Sequence, residues 1–180
     1  FITISSTGNS QDFGDLFSQR FGVIGLSNQT RGIFAGGNNP AVNIIEYITI
    51  TSTGQNTQDF GDLSASKRRM GAVSSSTRGV FGGGAPTTNV IEFITISTLG
   101  NSSDFGDLFS GSYSLSKGNI SNSIRGIFGI GHNTSGYNNI IEFITIATTG
   151  NATDFGDLTT ALGCERASTS STVRGVFAGG

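Results

Sequence analysis

The sequence predicts an all-β fold built from one short unit that is repeated four times, and three observations support this. Closely similar segments begin at equivalent positions with spacings of 46, 46 and 50 residues, namely at Phe1, Tyr47, Phe93 and Phe143. Apolar and β-branched residues alternate within these segments, and no window of ten or more residues has helical periodicity. Gly, Ser, Thr and Asn dominate between them, whereas charged residues make up only 12% of the chain.

The first element of each copy is an apolar strand such as "NIIEYITI" at Asn43–Ile50. It is rich in β-branched and aromatic residues and ends at a Thr-Gly turn signal. Alternation places Glu46 on one face and Tyr47 on the other, and both faces are largely apolar. We therefore expect this strand to be covered on both sides.

The second element is the five-residue motif "DFGDL", a short polar strand suited to an outer edge. Its first three letters match the metal-binding signature of protein kinases, but the other kinase motifs are absent. A catalytic aspartate is needed once, whereas this motif occurs four times. We expect the phenylalanine to pack between neighbouring units, and the glycine and aspartates to shape the edge or cap backbone N–H groups. The four phenylalanines are Phe13, Phe60, Phe105 and Phe155.

Calcium binding is the alternative for this motif, because paired carboxylates such as Asp12 and Asp15 can share a hard cation. A dedicated calcium loop gathers more oxygen ligands than this, so the structural interpretation is favoured.

The third and fourth elements are a Gly/Ser-rich strand and a short strand such as Arg31–Ala35, which stops at Gly36-Gly37. Small residues suit the third strand to a place where neighbouring backbones crowd together. Each fourth strand begins with an arginine, and we expect these arginines to pair with acidic residues, since a buried arginine needs a partner. The arginines are Arg31, Arg78, Arg125 and Arg174, and the repeated glutamates are Glu46, Glu92 and Glu142.

Four antiparallel strands in about 46 residues is the size of one β-propeller blade. We therefore treat residues 1–180 as a single propeller domain with copies that begin near 1, 47, 93 and 143. A β-helix would have shorter rungs, and a sandwich would not repeat its sequence so closely. The copies either close a four-bladed ring or form a segment of a larger ring, and we favour the segment.

The repeat resembles the kelch repeat. In that family one strand ends in a di-glycine, the next carries a Val-Glu-x-Tyr segment, and the last carries Trp followed by Leu. The equivalents in this chain are Ile33–Gly37, Asn43–Ile50 and Asp59–Leu63. Phenylalanine replaces the tryptophan throughout, and Gly129-Ile130-Gly131 replaces the di-glycine in the third copy. The resemblance implies a kelch-like β-propeller.

The sequence of the repeat also resembles repeat proteins of marine tailed bacteriophages. The similar stretch runs from Thr-Gly-Asn through Asp-Phe-Gly-Asp-Leu to Arg-Gly-Val-Phe. This resemblance covers the whole chain. It implies a component of the virion, in the tail or on the surface, whose partners are other virion proteins, a second copy of the chain, or a host receptor or glycan.

Composition argues against several other functions. A net charge of −2 provides no long-range field for nucleic acid, and no run of about 18 apolar residues could span a membrane. Cys164 and His132 are each the only residue of their type, which disfavours a disulfide framework, a metal centre and a bound cofactor. A propeller enzyme needs clustered His, Tyr and Cys, or carboxylates converging on the channel. We therefore expect no catalytic residues.

Differences between the copies point to a binding face. Two sets of loops vary, the one between the second and third elements and the one between the fourth element and the next copy, and a four-stranded meander places both at the same end. Variable loops on a rigid scaffold are where binding is usually found. The best candidates are Arg69, Tyr113, His132, Asn133 and Tyr137. The leading hypothesis is a non-enzymatic phage module that contacts a host receptor or glycan, and the alternative is a kelch-type scaffold for another protein.

Overall fold

The computed structural model describes residues 1–115, 118–129, 131–133, 135–162 and 167–179. The predicted all-β class is confirmed, because these residues form fifteen antiparallel strands and contain no helix. No helix long and apolar enough to cross a membrane is found among them.

The first complete repeat, which we call unit 1, is a four-stranded antiparallel meander in the predicted order. The apolar strand, which was the first element of the sequence repeat, is the central strand of the sheet. In it Tyr47 pairs with Ile33 on one side and with Gln58 on the other. The strands are β1 (Ile24–Ser27), β2 (Arg31–Ala35), β3 (Ile44–Thr49) and β4 (Gln58–Asp62).

The next two repeats, units 2 and 3, have the same antiparallel order. Unit 2 consists of β5 (Gly71–Ser74), β6 (Arg78–Gly82), β7 (Thr88–Thr95) and β8 (Ser103–Ser114). Unit 3 consists of β9 (Asn119–Ser121), β10 (Arg125–Gly129), β12 (Gly136–Thr145) and β13 (Thr153–Leu162). A two-residue strand, β11 (His132–Asn133), pairs with both β8 and β12 and so links the two units into one nine-stranded sheet.

The remaining strands, β14 (Ala167–Ser170) and β15 (Gly175–Ala178), form a two-stranded sheet. The strand predicted at Asp12–Leu16 is not present as a regular strand. The backbone there is nevertheless ordered by hydrogen bonds to the Gly54–Thr57 loop of unit 1, because Gly54 N donates to the Phe13 carbonyl (3.0 Å) and Thr57 N donates to the Asp15 carbonyl (2.9 Å).

The apolar core lies between the units. Phe60 of unit 1 belongs to the same buried cluster as Ile94 and Ile96 of unit 2. Phe105 of unit 2 packs in a second cluster with Ile144 and Ile146 of unit 3. The predicted wedging of the repeated phenylalanines between neighbours is therefore confirmed at these two junctions.

The first strands of successive units lie side by side, with β1 next to β5, β5 next to β9 and β9 next to β14. Their serines bond across the gap, as where Ser74 Oγ donates to the Ser27 carbonyl at 3.0 Å. The first strands lie so close that a Cβ on Gly71 of β5 would be 2.6 Å from the side-chain oxygen of Asn119 in β9. The sequence prediction that small residues occupy a crowded position is confirmed.

Successive units thus pack with one repeated geometry. Among the residues that the structure describes, no strand pairing closes a ring. These residues form several antiparallel sheets.

Candidate binding face

In its first three copies the backbone of the DFGDL motif bonds to the following unit through a set of contacts that we call the latch. In the latch between units 1 and 2, Gly100 N donates to the Phe60 carbonyl (2.8 Å) and Ser102 N donates to the Asp62 carbonyl (2.8 Å). Asp62 N donates in return to Oδ1 of Asn101 at 3.0 Å. The motif is therefore repeated because the junction between units is repeated.

The same latch forms at the two neighbouring junctions. Asp15 N donates to Oδ1 of Asn56 and Asp107 N donates to Oδ1 of Asn151, each at 3.0 Å. A glycine is required at its centre, since Gly61 has φ +146° and a Cβ there would lie 2.4 Å from the carbonyl carbon of Gly100. The nearly constant loop that follows each central strand, such as Thr51–Thr57, is thus part of the scaffold.

The repeated glutamates are buried and accept hydrogen bonds from the neighbouring unit. Oε1 of Glu46 lies 2.6 Å from a guanidinium nitrogen of Arg20, and Oε1 of Glu92 lies 2.6 Å from Nζ of Lys67. The Arg20 contact is an ion pair rather than an aligned hydrogen bond, because neither atom satisfies hydrogen-bond geometry. These cations come from the loop that precedes the first strand of each unit.

Burial opposes ionisation of Glu92, but hydrogen bonds outweigh it. Lys67, the Ser102 hydroxyl and the Ser64 N–H all donate to this carboxylate, and together they lower its pKa below the ordinary glutamate value.

The predicted pairing of the strand-leading arginines with acids is wrong. Arg31 Nη1 donates to the carbonyl of Ile96 in the next unit (2.7 Å), and Arg78 Nη1 donates to that of Ile146 (3.1 Å). Each guanidinium also stacks on the aromatic ring of its own central strand, 4.7 Å from the Tyr47 centroid in the first case. A backbone carbonyl and a ring face satisfy the arginine without a carboxylate. Arg125 stacks 4.4 Å from the Phe143 ring but is exposed, as is Arg174.

Glu142 is the exception among the glutamates, because Ser112 stands where the other copies place Arg20 and Lys67. Its Oε1 is buried and has no hydrogen-bond partner among the described residues. Burial raises the pKa of Glu142, the nearby Asp154 carboxylate raises it further, and the N–H groups of Phe109 and Ser110 only partly offset this. Unit 3 therefore buries a carboxyl group that resists ionisation.

The two sets of variable loops lie together at one end of the sheets, as the meander predicts. Phe21 pairs with Asn38, and Arg68 pairs with Ala85, each pair joining the two kinds of loop within one unit. We call this end the variable face.

The structure brings most of the predicted binding residues together where units 2 and 3 meet. His132 and Tyr137 are paired across the β11–β12 hairpin with ring centroids 5.5 Å apart, and the Tyr137 side chain is 67% exposed. Oδ1 of Asn133 accepts a hydrogen bond from Ser135 N at 2.8 Å. Together they form an amide–imidazole–phenol surface.

Arg69 and Tyr113 lie beside this hairpin along the backbone. The Arg69 carbonyl accepts a hydrogen bond from Leu115 N (2.9 Å), at the end of β8. Tyr113 is in β8, the strand that pairs with β11, but its side chain lies outside the described residues.

Sequence reasoning missed the exposed phenylalanines in the stretches of sequence that differ between copies. Phe109 is 85% exposed, and Phe17 and Phe21 are 55% exposed. The available signal was that these are the only phenylalanines outside the repeated positions, so the repeat core does not account for them. They add exposed apolar area to the variable segments of the repeat.

The variable face therefore offers hydrogen bonds and aromatic surface. In the described part of the chain no three His, Cys, Asp or Glu side chains come close enough to hold a metal ion. Comparison with known proteins gives no match, neither to a protein-family model nor among curated proteins.

Proposed function

We propose that this chain is a non-enzymatic binding module whose units are blades of a kelch-like β-propeller and whose variable face holds the partner. One observation carries the proposal: the constant loops are used in the latches, whereas the variable loops stand at the opposite end of the sheets. Most of the sequence variation thus lies at the end of the sheets away from the latches, as expected of a scaffold that presents a binding surface.

A glycan or receptor on a host surface is the partner class that the hairpin favours. Tyr137 presents an exposed ring on which a sugar face can stack, and Asn133 and His132 lie beside it with hydrogen-bonding groups. With a net charge of −2, recognition of this kind depends on stacking and hydrogen bonds rather than on long-range attraction. Such a role suits a virion component, in the tail or on the surface, as the resemblance to phage repeat proteins implies.

A protein partner is the second candidate, and the exposed phenylalanines favour it. Phe21, in a variable loop, and Phe109, in the variable part of β8, expose large apolar side chains, and aromatic residues of this kind are enriched in protein interfaces. In that case the partner is another virion protein or a cellular complex.

A glycan array probed with the intact chain and two variants tests the proposal. We expect Tyr137→Ala to lower the signal at least about tenfold, because it removes a stacking surface worth about 1.4 kcal/mol or more. Leu99→Ala is the matched control, since Leu99 is an exposed apolar residue in a constant loop. Binding that Tyr137→Ala and Phe109→Ala both leave intact would overturn the assignment of this face. If Phe109→Ala abolishes the capture of a protein in a pull-down and Tyr137→Ala does not, the result supports a protein partner.

A further inference from the structure

The three repeated glutamates have the same backbone setting, but only two of them have a cation beside them. In each copy Oε2 accepts a hydrogen bond from the first N–H after the DFGDL motif. The donors are Phe17, Ser64 and Phe109. Oε1 of Glu46 and Oε1 of Glu92 each lie 2.6 Å from a cationic nitrogen. Glu142 is fully buried, and its Oε1 has no hydrogen-bond partner among the described residues.

The cation is missing in unit 3 because a serine replaces the lysine at an unchanged backbone position. The Ser112 carbonyl accepts a hydrogen bond from Gly84 N at 3.0 Å. The Lys67 carbonyl accepts the equivalent bond from Gly37 N at 2.9 Å. Ser112 is fully buried, and its hydroxyl donates to the His132 carbonyl at 3.3 Å. No described cationic side chain therefore stands where Nζ of Lys67 stands in unit 2.

A hydroxyl donor is lost at the same carboxylate. In the first two copies Thr57 and Ser102 donate to Oε2 of the glutamate in their own unit. The corresponding residue of the third copy is Ala152, which has no hydroxyl. Both kinds of side-chain donor that serve the other two glutamates are thus absent at Glu142.

The groups that surround this position suit a cation. Ser110 lies against the carboxylate, because its N–H donates to Glu142. Oγ of Ser110 is buried and has no hydrogen-bond partner among the described residues. Burial and the nearby Asp154 carboxylate both raise the pKa of Glu142, so its ionised form is costly without a compensating charge. A bound cation would remove that cost and give both oxygens a partner.

We propose that Glu142 and Ser110 bind a small monovalent cation, ammonium or potassium, in the place that Nζ of Lys67 occupies in unit 2. The ligands are Oε1 of Glu142 and Oγ of Ser110, and one positive charge balances the buried carboxylate as Lys67 balances Glu92. In the described part of the chain no three acidic or imidazole side chains converge, so a divalent ion would lack ligands. The ion joins unit 2 to unit 3, since Ser110 is in β8 and Glu142 is in β12.

Urea unfolding at pH 7 in three chloride salts tests the proposal. Tetramethylammonium chloride at equal ionic strength is the reference, because its cation is too large for the place of a single nitrogen atom. A cation that binds only the folded chain stabilises it in proportion to its concentration over Kd. With a Kd of about 20 mM, about 200 mM ammonium or potassium chloride lowers the unfolding equilibrium constant about elevenfold. Equal unfolding constants in all three salts would overturn the proposal.

Three variants assign the effect to this position. Glu142→Gln should lose the dependence on the cation, and its gain in stability over the wild type should be largest in tetramethylammonium chloride. Ser112→Lys supplies the charge from within the chain, so it should also lose the dependence. Ser110→Ala removes one ligand and should raise the cation concentration needed for half of the effect. A dependence that Glu142→Gln retains in full would show that the ion binds elsewhere.

A proton is the competing way to neutralise Glu142. If acidification stabilises the wild-type chain while ammonium and potassium chloride have no more effect than the reference salt, the carboxyl group is protonated and the proposal is wrong. If ammonium or potassium stabilises the wild type at pH 7 and the effect disappears at pH 4, the cation and the proton compete for the same carboxylate, as the proposal requires.

Discussion

Truncating the repeated phenylalanine should cost very different amounts at two equivalent positions. Phe105 is 2% exposed between units 2 and 3, and Phe155 is 49% exposed at the edge of unit 3. Each ring makes the same edge-to-face contact with its own central strand, at 5.9 Å with Phe93 and at 6.1 Å with Phe143. The two positions therefore differ in whether the following unit covers the ring.

A fully buried phenylalanine replaced by alanine costs about 3–5 kcal/mol, the sum of lost burial and the cavity that remains. We expect that range for Phe105→Ala. Phe155 loses roughly half as much buried area and leaves an open notch rather than a cavity, so Phe155→Ala should cost about 1–2 kcal/mol.

Urea unfolding followed by circular dichroism measures both values. Equal losses at the two positions would show that the rings do not derive their stability from the next unit, and would refute this account of the junction.

The other predictions concern charge and close approach. Burial raises the pKa of Glu142, so this carboxyl group destabilises the fold as the pH rises above the ordinary glutamate range. Glu142→Gln should therefore raise the urea midpoint at pH 7 and have little effect on it at pH 4. The pKa of Glu92 is lowered, so the pH dependence runs the other way: its ionised carboxylate stabilises the fold at neutral pH, and this stabilisation is lost as the pH falls through and below the ordinary glutamate range. Glu92→Gln should cost about 3–5 kcal/mol of unfolding free energy at pH 7, because it leaves the buried Lys67 without its carboxylate. A thermal melt should show Gly61→Ala losing more stability than Gly156→Ala, because both have positive φ but only Gly61 faces a neighbouring backbone; equal losses would mean that φ strain alone matters.

The repeat pattern correctly predicted the all-β class, the strand order within a unit and the position of the variable loops. Strand order followed because every copy carries the same succession of apolar run, turn signal and small-residue strand, as at Asn43–Ile50. The crowding of the first strands followed from their Gly and Ser content. These are properties of the local sequence, and the same local pattern occurs in every copy of the repeat.

Contacts between units were harder to predict from sequence. The interpretation of Arg31 assumed a carboxylate partner, but the nearest acceptor is the Ile96 carbonyl, which only the packing of two units reveals. The cations on Glu46 and Glu92 come from variable loops, where repetition gives no signal. The strand β11 depends on the longer loops of the third repeat, and no single copy contains the pairing of β11 with β8.

The latch relies on main-chain atoms, one asparagine amide and a glycine, so it is indifferent to almost every other side chain in the two units that it joins. Whole units can therefore be duplicated, deleted or exchanged in register without redesign of their boundaries. Changes confined to the loops at the opposite end would alter the proposed binding face and leave the latches as they are.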